Sequence, residues 1–554
     1  MQLIHRFVRY QERVSGVPGR FIAPVVLAGV SLQVAVLGMY WDIGYHIDHG
    51  RDQGVFTAPH MFIVVGLQGI VLAALLHGRM RGPAARNERR LPLGLNMSPG
   101  GIVMLVCGGV ALLGFPLDAF WHALFGEDVT LWGPTHLFMI GGAGVSTLGV
   151  WMVMRQGFEL GRPRKVARRG HLRVAGALII GLSTFQAEFD FGVPQFQLLY
   201  QPVLIAFAAA VALVCARSIL GPWGAFQALG MFFVIRIALA LFVGQIAGYT
   251  TPHFPLYIAE AAVVELAALA APRAPLRFAL LSGLGIGTIG LAAEWGWSHV
   301  WMPHPWPASM LAPAVVLALA AGLGGSVLGA RMSQSLAMPD SERAALPAIA
   351  PRAVALAAAL ALVALFFPLP RTGGDGTRAA IVPTPAGHGR VNVAVKLDPP
   401  SAARDNQWFE VLSWQGRTPG RLRQLTALRQ VGPGRYVTER PVPVNGNWKT
   451  MLRLAKGTHL MALPVYLPPS PQAHRAGVPS RPRSGAMQAD TFILQREARG
   501  GPKWLTTTAY AVLGVVVAVW LGLLAWALGL AEPRRQPLQH ATVASTWQPP
   551  VAPA

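Results

Sequence analysis

Cysteine is almost missing from this chain, with two among 554 residues. Cys107 and Cys215 both fall in apolar runs, so neither a disulfide framework nor a thiolate metal site can be built, and any metal chemistry must use histidine and carboxylate. Charge is scarce as well. Only 13% of residues are charged and 53% are hydrophobic, which excludes an ordinary soluble globular protein and places the chain among polytopic membrane proteins. Acidic side chains are the scarcer sign, 24 against 46 basic ones, for a net charge of +22. In a soluble chain that excess would suggest a nucleic-acid partner. Here the Lys and Arg residues cluster in alternate short loops, as the positive-inside rule requires, and a nucleic-acid partner is rejected. No cleavable leader is evident either. The basic start (Arg6, Arg9, Arg13, Arg20) runs into an apolar stretch long enough to span, without a small-residue cleavage site, and reads as a retained anchor.

What the chain does have is long apolar runs. Twelve stretches of about spanning length occur near 21–42, 58–77, 100–120, 136–154, 174–191, 197–216, 225–247, 255–271, 278–298, 308–330, 352–369 and 505–531. The fold class expected is an all-α polytopic membrane protein of about twelve transmembrane helices, with an inserted extracytoplasmic β-sandwich. Loops 78–95 and 155–173 are rich in Arg and are expected in the cytoplasm together with both termini, in a multi-pass protein of the cytoplasmic (inner) membrane. The intervening loops then face outward. They hold Asp42, Asp48, Asp118, Glu188, Asp190 and Glu294, several histidines and a belt of tryptophans. The divisions expected are 1–155 (hairpins carrying the motifs below), 156–369 (further spans), 370–503 (β domain and linker), 504–531 (last span) and 532–554 (cytoplasmic tail). Within 370–503, Val391, Val393, Val395 and Leu397 alternate with period two, and Gly432-Pro433-Gly434 and Asn445-Gly446-Asn447 are turn signals, so this region is expected to form strands on the outer side.

Two outward segments carry one constellation. Both read Asp-x3-His-x13-His: Asp42, His46 and His60 in the first, Asp118, His122 and His136 in the second. A carboxylate and an imidazole four residues apart share one helix face, and the second imidazole returns at the start of the next helix. Asp52, Glu127 and Asp128 lie in the intervening loops, where carboxylates can orient ligating imidazoles. One such hairpin is explained by helix capping. The repetition of ligand types and of both spacings favours metal, with copper, zinc and non-haem iron all compatible with two imidazoles and a carboxylate.

The first hairpin also resembles the copper-site segment of the C subunit of particulate methane and ammonia monooxygenases, in which Asp-x3-His precedes an Arg-Asp pair and a Phe-Thr-Pro-x-His ending. Here Asp42 and His46 are followed by Arg51-Asp52 and by Phe56-Thr57-Ala58-Pro59-His60. The second hairpin is similar to the following site of that subunit, with Asp118, where the family tends to have Asn, then His122, Glu127-Asp128 and His136. Gly133-Pro134-Thr135-His136-Leu137 resembles a segment of the A subunit of the same enzymes. The resemblance covers roughly residues 30–150. It implies a copper cofactor (with iron and zinc as alternatives), O2-dependent oxidation of a small substrate at the outer membrane face, a reductant such as quinol, and other membrane subunits or a homo-oligomer as partners. The alternatives are a copper-handling or transport protein without oxygenase activity and a structural membrane subunit.

Two further features are expectations for the structure to test. Glu294, His299 and His304 form a third outward cluster, which could be a further site, although an interfacial aromatic belt explains it more simply. Arg236 and Glu265 fall mid-span in neighbouring apolar runs. Counting about 1.5 Å per residue from their shared outer turn places them at one depth as an intramembrane ion pair.

Overall fold

The computed structural model describes residues 2–49, 56–125, 130–337, 346, 374–415, 423–470, 474–494 and 502–531. Asp52, Glu127, Asp128, the expected span 352–369 and the tail 532–554 lie outside the described residues. The helical part begins with α1 (Gln2–Ser15), followed by the hairpin of α2 (Gly19–His49) and α3 (Ala58–Arg79). A short β-ribbon, β1 (Arg89–Leu91) and β2 (Leu95–Met97), leads to a second hairpin, α4 (Pro99–Phe125) and α5 (Pro134–Leu160). Then come α6 (Lys165–Arg168), α7 (Gly170–Ser183), α8 (Ala187–Asp190), α9 (Tyr200–Leu220), α10 (Gly224–Leu241), α11 (Ile258–Ala270), α12 (Pro275–Gly285), α13 (Leu291–Val300) and α14 (Leu311–Leu336). One wider π turn, Phe242–Ile246, extends α10, and another, Ile286–Gly290, joins α12 to α13.

Ten helical segments among the described residues are long and apolar enough to cross a membrane. They account for ten of the twelve expected spans. The run at 255–271 is not one of them: α11 has 13 residues, about 20 Å of helix against a hydrocarbon thickness of about 30 Å. The irregular connection that precedes it takes up the missing length.

The two hairpins pack through glycine. A Cβ at Gly66 of α3 would stand 2.5 Å from the backbone nitrogen of Ala35 on α2, and one at Gly142 of α5 would stand 2.5 Å from the carbonyl oxygen of Cys107 on α4. Such contact lets helix backbones approach closely where no hydrophobic driving force operates between spans. It holds α2 against α3, and α4 against α5, along the hairpins whose ends carry the Asp/His motifs.

The β domain comprises β3 (Arg378–Pro385), β4 (Arg390–Asp398), β5 (Trp408–Trp414), β6 (Arg423–Gly432), β7 (Arg435–Thr438), β8 (Val442–Pro443), β9 (Lys449–Lys456), β10 (His459–Tyr466), β11 (Arg483–Ala486) and β12 (Gln488–Ala489). The strands are antiparallel in the order β11-β3-β4-β7-β6-β5-β9-β10-β12, with β8 also on β4. Along β4, Val391, Val393, Val395 and Leu397 are buried and their neighbours are not, as period two demands. Gly434 and Gly446, at φ +64° and +55°, occupy the two turns read from the sequence. Ile381 and Val395 share one apolar core with Val411, Leu452 and Leu454, so the sheet folds over on itself into two packed layers.

This domain caps the helices at the end that carries the Asp/His motifs. Trp414 Nε1 donates to the carbonyl of Ile47 at 2.6 Å, Gln407 accepts from the Leu198 amide at 3.1 Å, and Arg423 donates to the carbonyls of Phe191 and Gly192. After α15 (Asp490–Leu494), α16 (Lys503–Ala531) runs from this end, where Tyr510 donates to the Trp132 carbonyl at 3.0 Å, to the opposite end, where Asn87 reaches the Leu530 carbonyl at 3.0 Å.

Candidate metal centres

Each triad is assembled by one hairpin in the same way. Asp42 and His46 lie on one face in the last turns of α2, and His60 is the third residue of α3; Asp118 and His122 occupy the equivalent turns of α4, and His136 is the third residue of α5. Pro59 and Pro134 stand in the first turns of α3 and α5, where a missing N–H costs nothing and the fixed φ starts the helix. The returning imidazole is thereby held in the first turn of the helix, facing the carboxylate.

In the first centre, Nε2 of His46 and Nε2 of His60 face the same oxygen, Asp42 Oδ1, at 3.5 and 3.2 Å. In the second, His122 Nε2 lies 3.7 Å from Asp118 Oδ2 and His136 Nε2 lies 3.3 Å from Oδ1. Within each group all three ligand-type atoms are within 4.8 Å of one another. Ligands bound tetrahedrally at about 2.1 Å lie about 3.4 Å apart, so the nitrogen–oxygen edges are already at ligating distance. Among the described residues these are the two groups of three His, Cys, Asp or Glu side chains with that geometry.

The second centre has a surrounding shell that sequence spacing did not reveal. Thr135 Oγ1 donates to Asp118 Oδ1 at 2.6 Å, and Thr135 stands where the first hairpin has Pro59. Nδ1 of His136 lies 2.9 Å from the carbonyl oxygen of Thr130. A carbonyl only accepts, so Nδ1 carries the hydrogen and the neutral ring presents its lone pair at Nε2, toward the carboxylate. Lone pair and carboxylate facing each other at 3.3 Å require a cation between them, a proton or a metal ion. Thr130 is itself anchored, since Glu188 accepts from its hydroxyl at 2.5 Å and from the amides of Leu131 and Gln195 at 2.6 and 2.8 Å. Trp132 packs edge-on against Phe196 at 4.9 Å and donates to the Phe185 carbonyl, which holds the whole turn against the segments on either side of α8.

The first centre is supported differently. His60 packs edge-on against Phe115 of α4 at 5.6 Å, which places the two hairpins in contact at this level. Asp48 accepts from the amide and hydroxyl of Thr250 at 2.6 and 2.7 Å, tying the end of α2 to the connection after α10. All six triad residues line one cavity of about 1140 Å3.

Two of the expected arrangements are not formed. Glu294, His299 and His304 do not converge. Glu294 accepts the Tyr257 amide at 2.6 Å, His299 Nδ1 bonds the Trp295 carbonyl at 2.8 Å, and His304 bonds the Gly192 carbonyl at 3.3 Å while packing on Trp408 at 5.0 Å. Each caps or docks a different segment, because α13 ends at Val300 and the chain beyond it turns toward the β domain. Arg236 and Glu265 do not pair either. Arg236 pairs with Asp190 at 2.6 Å and Glu265 with Arg217 at 2.6 Å. Depth counting fails because the connection between α10 and α11 dips inward. The His253 carbonyl accepts from Arg236 at 2.6 Å, so α11 starts at the level of Arg236. Glu265 is thereby displaced to the far end, where it accepts from the amides of Trp223 and Ala225 at the start of α10, satisfying orphan helix donors.

Comparison with protein-family models, with curated proteins and with solved structures returns no match.

Proposed function

We propose that this is a copper-binding membrane protein of the copper membrane monooxygenase type, or a subunit of such a complex, oxidising a small substrate with O2 at the membrane face covered by the β domain. The observation that carries the reading is the duplicated convergence of two imidazole Nε2 atoms on one carboxylate, at 3.2–3.7 Å. Asp42, His46 and His60, and Asp118, His122 and His136, would hold the metal. Copper bound by three protein ligands supplies an accessible redox change and an open coordination position. The chain's own contribution is orientation. Thr135 and Thr130 fix the carboxylate and imidazole of the second centre. In this reading the β domain is periplasmic, the termini are cytoplasmic, and the reductant is a quinol drawn from the bilayer.

The test is elemental analysis of protein purified in mild detergent. Wild type is compared with His46→Ala/His60→Ala and with His122→Ala/His136→Ala. Copper that falls selectively in one pair of variants assigns it to that centre and leads to oxygen-consumption assays. Absence of stoichiometric metal after copper supplementation overturns the reading and leaves a structural subunit. One observation favours a copper-handling protein instead, namely that both triads open on the same cavity. Stoichiometric copper that exchanges rapidly with an external chelator, with no oxygen uptake at any substrate, would favour it.

A further inference from the structure

The cavity that both triads line is a long groove. Its residues on α2 run from Ile22 to His49, a rise of about 40 Å, nearly the whole thickness of a bilayer. Its volume is about 1140 Å3. Between the ends the walls are mainly aliphatic, with Val26, Val30 and Val36 on α2, Ala143 on α5 and Ala177 and Ile180 on α7, interrupted by Gln33 and Thr147.

The end under the β domain is different. Arg423, Lys449 and Arg453 all line it. Arg453 is neutralised by Asp490 at 2.8 Å and Glu410 at 3.7 Å, and Lys449 lies over the Trp414 ring at 5.1 Å. Arg423 directs its donors to the carbonyls of Phe191 and Gly192, and no carboxylate lies within ion-pairing distance of it among the described residues. Burial lowers its pKa to about 10, which leaves it cationic at neutral pH. The groove's own acids are engaged: Asp42 and Asp118 by imidazoles, and Glu188 by three donors. Glu410 and Asp48 act on Arg423 from beyond pairing distance, which leaves it a cation of this mouth without a contact ion pair among the described residues.

We infer that the groove is a binding site for a single-chain anionic amphiphile, a long-chain carboxylate, whose head group pairs with Arg423 beneath the β domain and whose chain lies along α2 past both Asp/His/His centres. A head group that can accept a fork of guanidinium hydrogen bonds suits the cation at the mouth. Arg173, which lines the opposite end, offers the reverse orientation and is the internal control. The inference does not depend on metal at either triad.

The experiment uses the metal-free full-length protein in phosphatidylcholine vesicles, with stearate carrying a nitroxide near the end of its chain. Electron paramagnetic resonance reads the motionally restricted fraction. Expected is a several-fold excess of restricted stearate over equally labelled phosphatidylcholine. The excess should be lost in Arg423→Gln, kept in Arg423→Lys, and lost in Val30→Trp, which fills the groove without touching the head-group site. Equal restriction of labelled phosphatidylglycerol would mean an ordinary lipid annulus and overturn the inference, as would equal restriction of a labelled alkyltrimethylammonium of the same length. Loss of the excess in Arg173→Gln with Arg423→Gln unaffected would overturn the orientation.

Discussion

His136 donates from Nδ1 to the carbonyl oxygen of Thr130 at 2.9 Å, and that one bond decides which nitrogen of the ring faces Asp118. Because the acceptor is backbone, no side-chain substitution at residue 130 removes it directly. The elements that hold Thr130 and Asp118 in place are the points at which the second centre can be tested.

Thr135→Val removes the hydroxyl that orients Asp118 and keeps the side-chain volume. Loss of an outer partner of a ligand typically weakens metal binding about 10–100-fold. Competition with a graded series of chelators should show that loss at the second centre and an unchanged affinity at the first, where Pro59 occupies the equivalent position and donates nothing.

Glu188→Gln exchanges a carboxylate that accepts three hydrogen bonds for an amide with one acceptor oxygen. At least one buried donor loses its partner, at a cost of about 1–3 kcal/mol. Thermal unfolding in detergent should show the lower stability, and metal content should fall at the second centre alone, because the Thr130 turn that sets His136 is loosened.

Arg236 and Asp190 are coupled, and Arg236 and Glu265 are not. The guanidinium and carboxylate are almost wholly buried, at 1% and 0% exposure, and Arg236 also lies over the Tyr40 ring at 4.4 Å. Arg236→Met or Asp190→Leu alone strands a buried charge, at about 3–5 kcal/mol, and the double variant should cost much less than the sum. Arg236→Met with Glu265→Gln should be additive within about 0.5 kcal/mol. Denaturation midpoints of the two double-mutant cycles check both statements.

Acid should weaken the seat of the β domain through His304. Burial lowers its pKa below the ordinary histidine value, the effects of the facing Glu410, Arg423 and Arg453 being smaller. As pH falls through about 6.5, the unfolded chain binds the proton before the folded one. Stability present above that pH therefore declines on acidification until the folded-state pKa is passed. His304→Phe keeps the packing on Trp408 and removes the titration, so unfolding curves between about pH 7.5 and pH 5 should be flatter for the variant than for wild type.

Local periodicity made much of this protein legible in its sequence. Apolar runs of sufficient length can satisfy their backbone only as helices in lipid, and ten of them appear as spans among the described residues. The alternation in β4 and the glycine turns after β6 and β8 follow from period two and positive φ. The triads were legible because their geometry is nearly local: a four-residue step on one helix, and a return at the first turn of its hairpin partner, leave little for the rest of the fold to decide. What lay beyond reach depends on how segments distant in sequence meet. Arg236 and Asp190 are 46 residues apart, and their pairing is set by an inward dip of the connection before α11, which depth counting from a straight helix cannot foresee. Glu294, His299 and His304 carry ligand atoms, yet each satisfies a different backbone group, because a buried polar atom takes the nearest partner that packing provides. The support of His136 by Thr130 and Glu188, and the single groove joining both centres to Arg423, were likewise decided by tertiary packing. They join α2, α4, α5, α7 and the β domain, and no spacing within one element encodes which face of another it will meet.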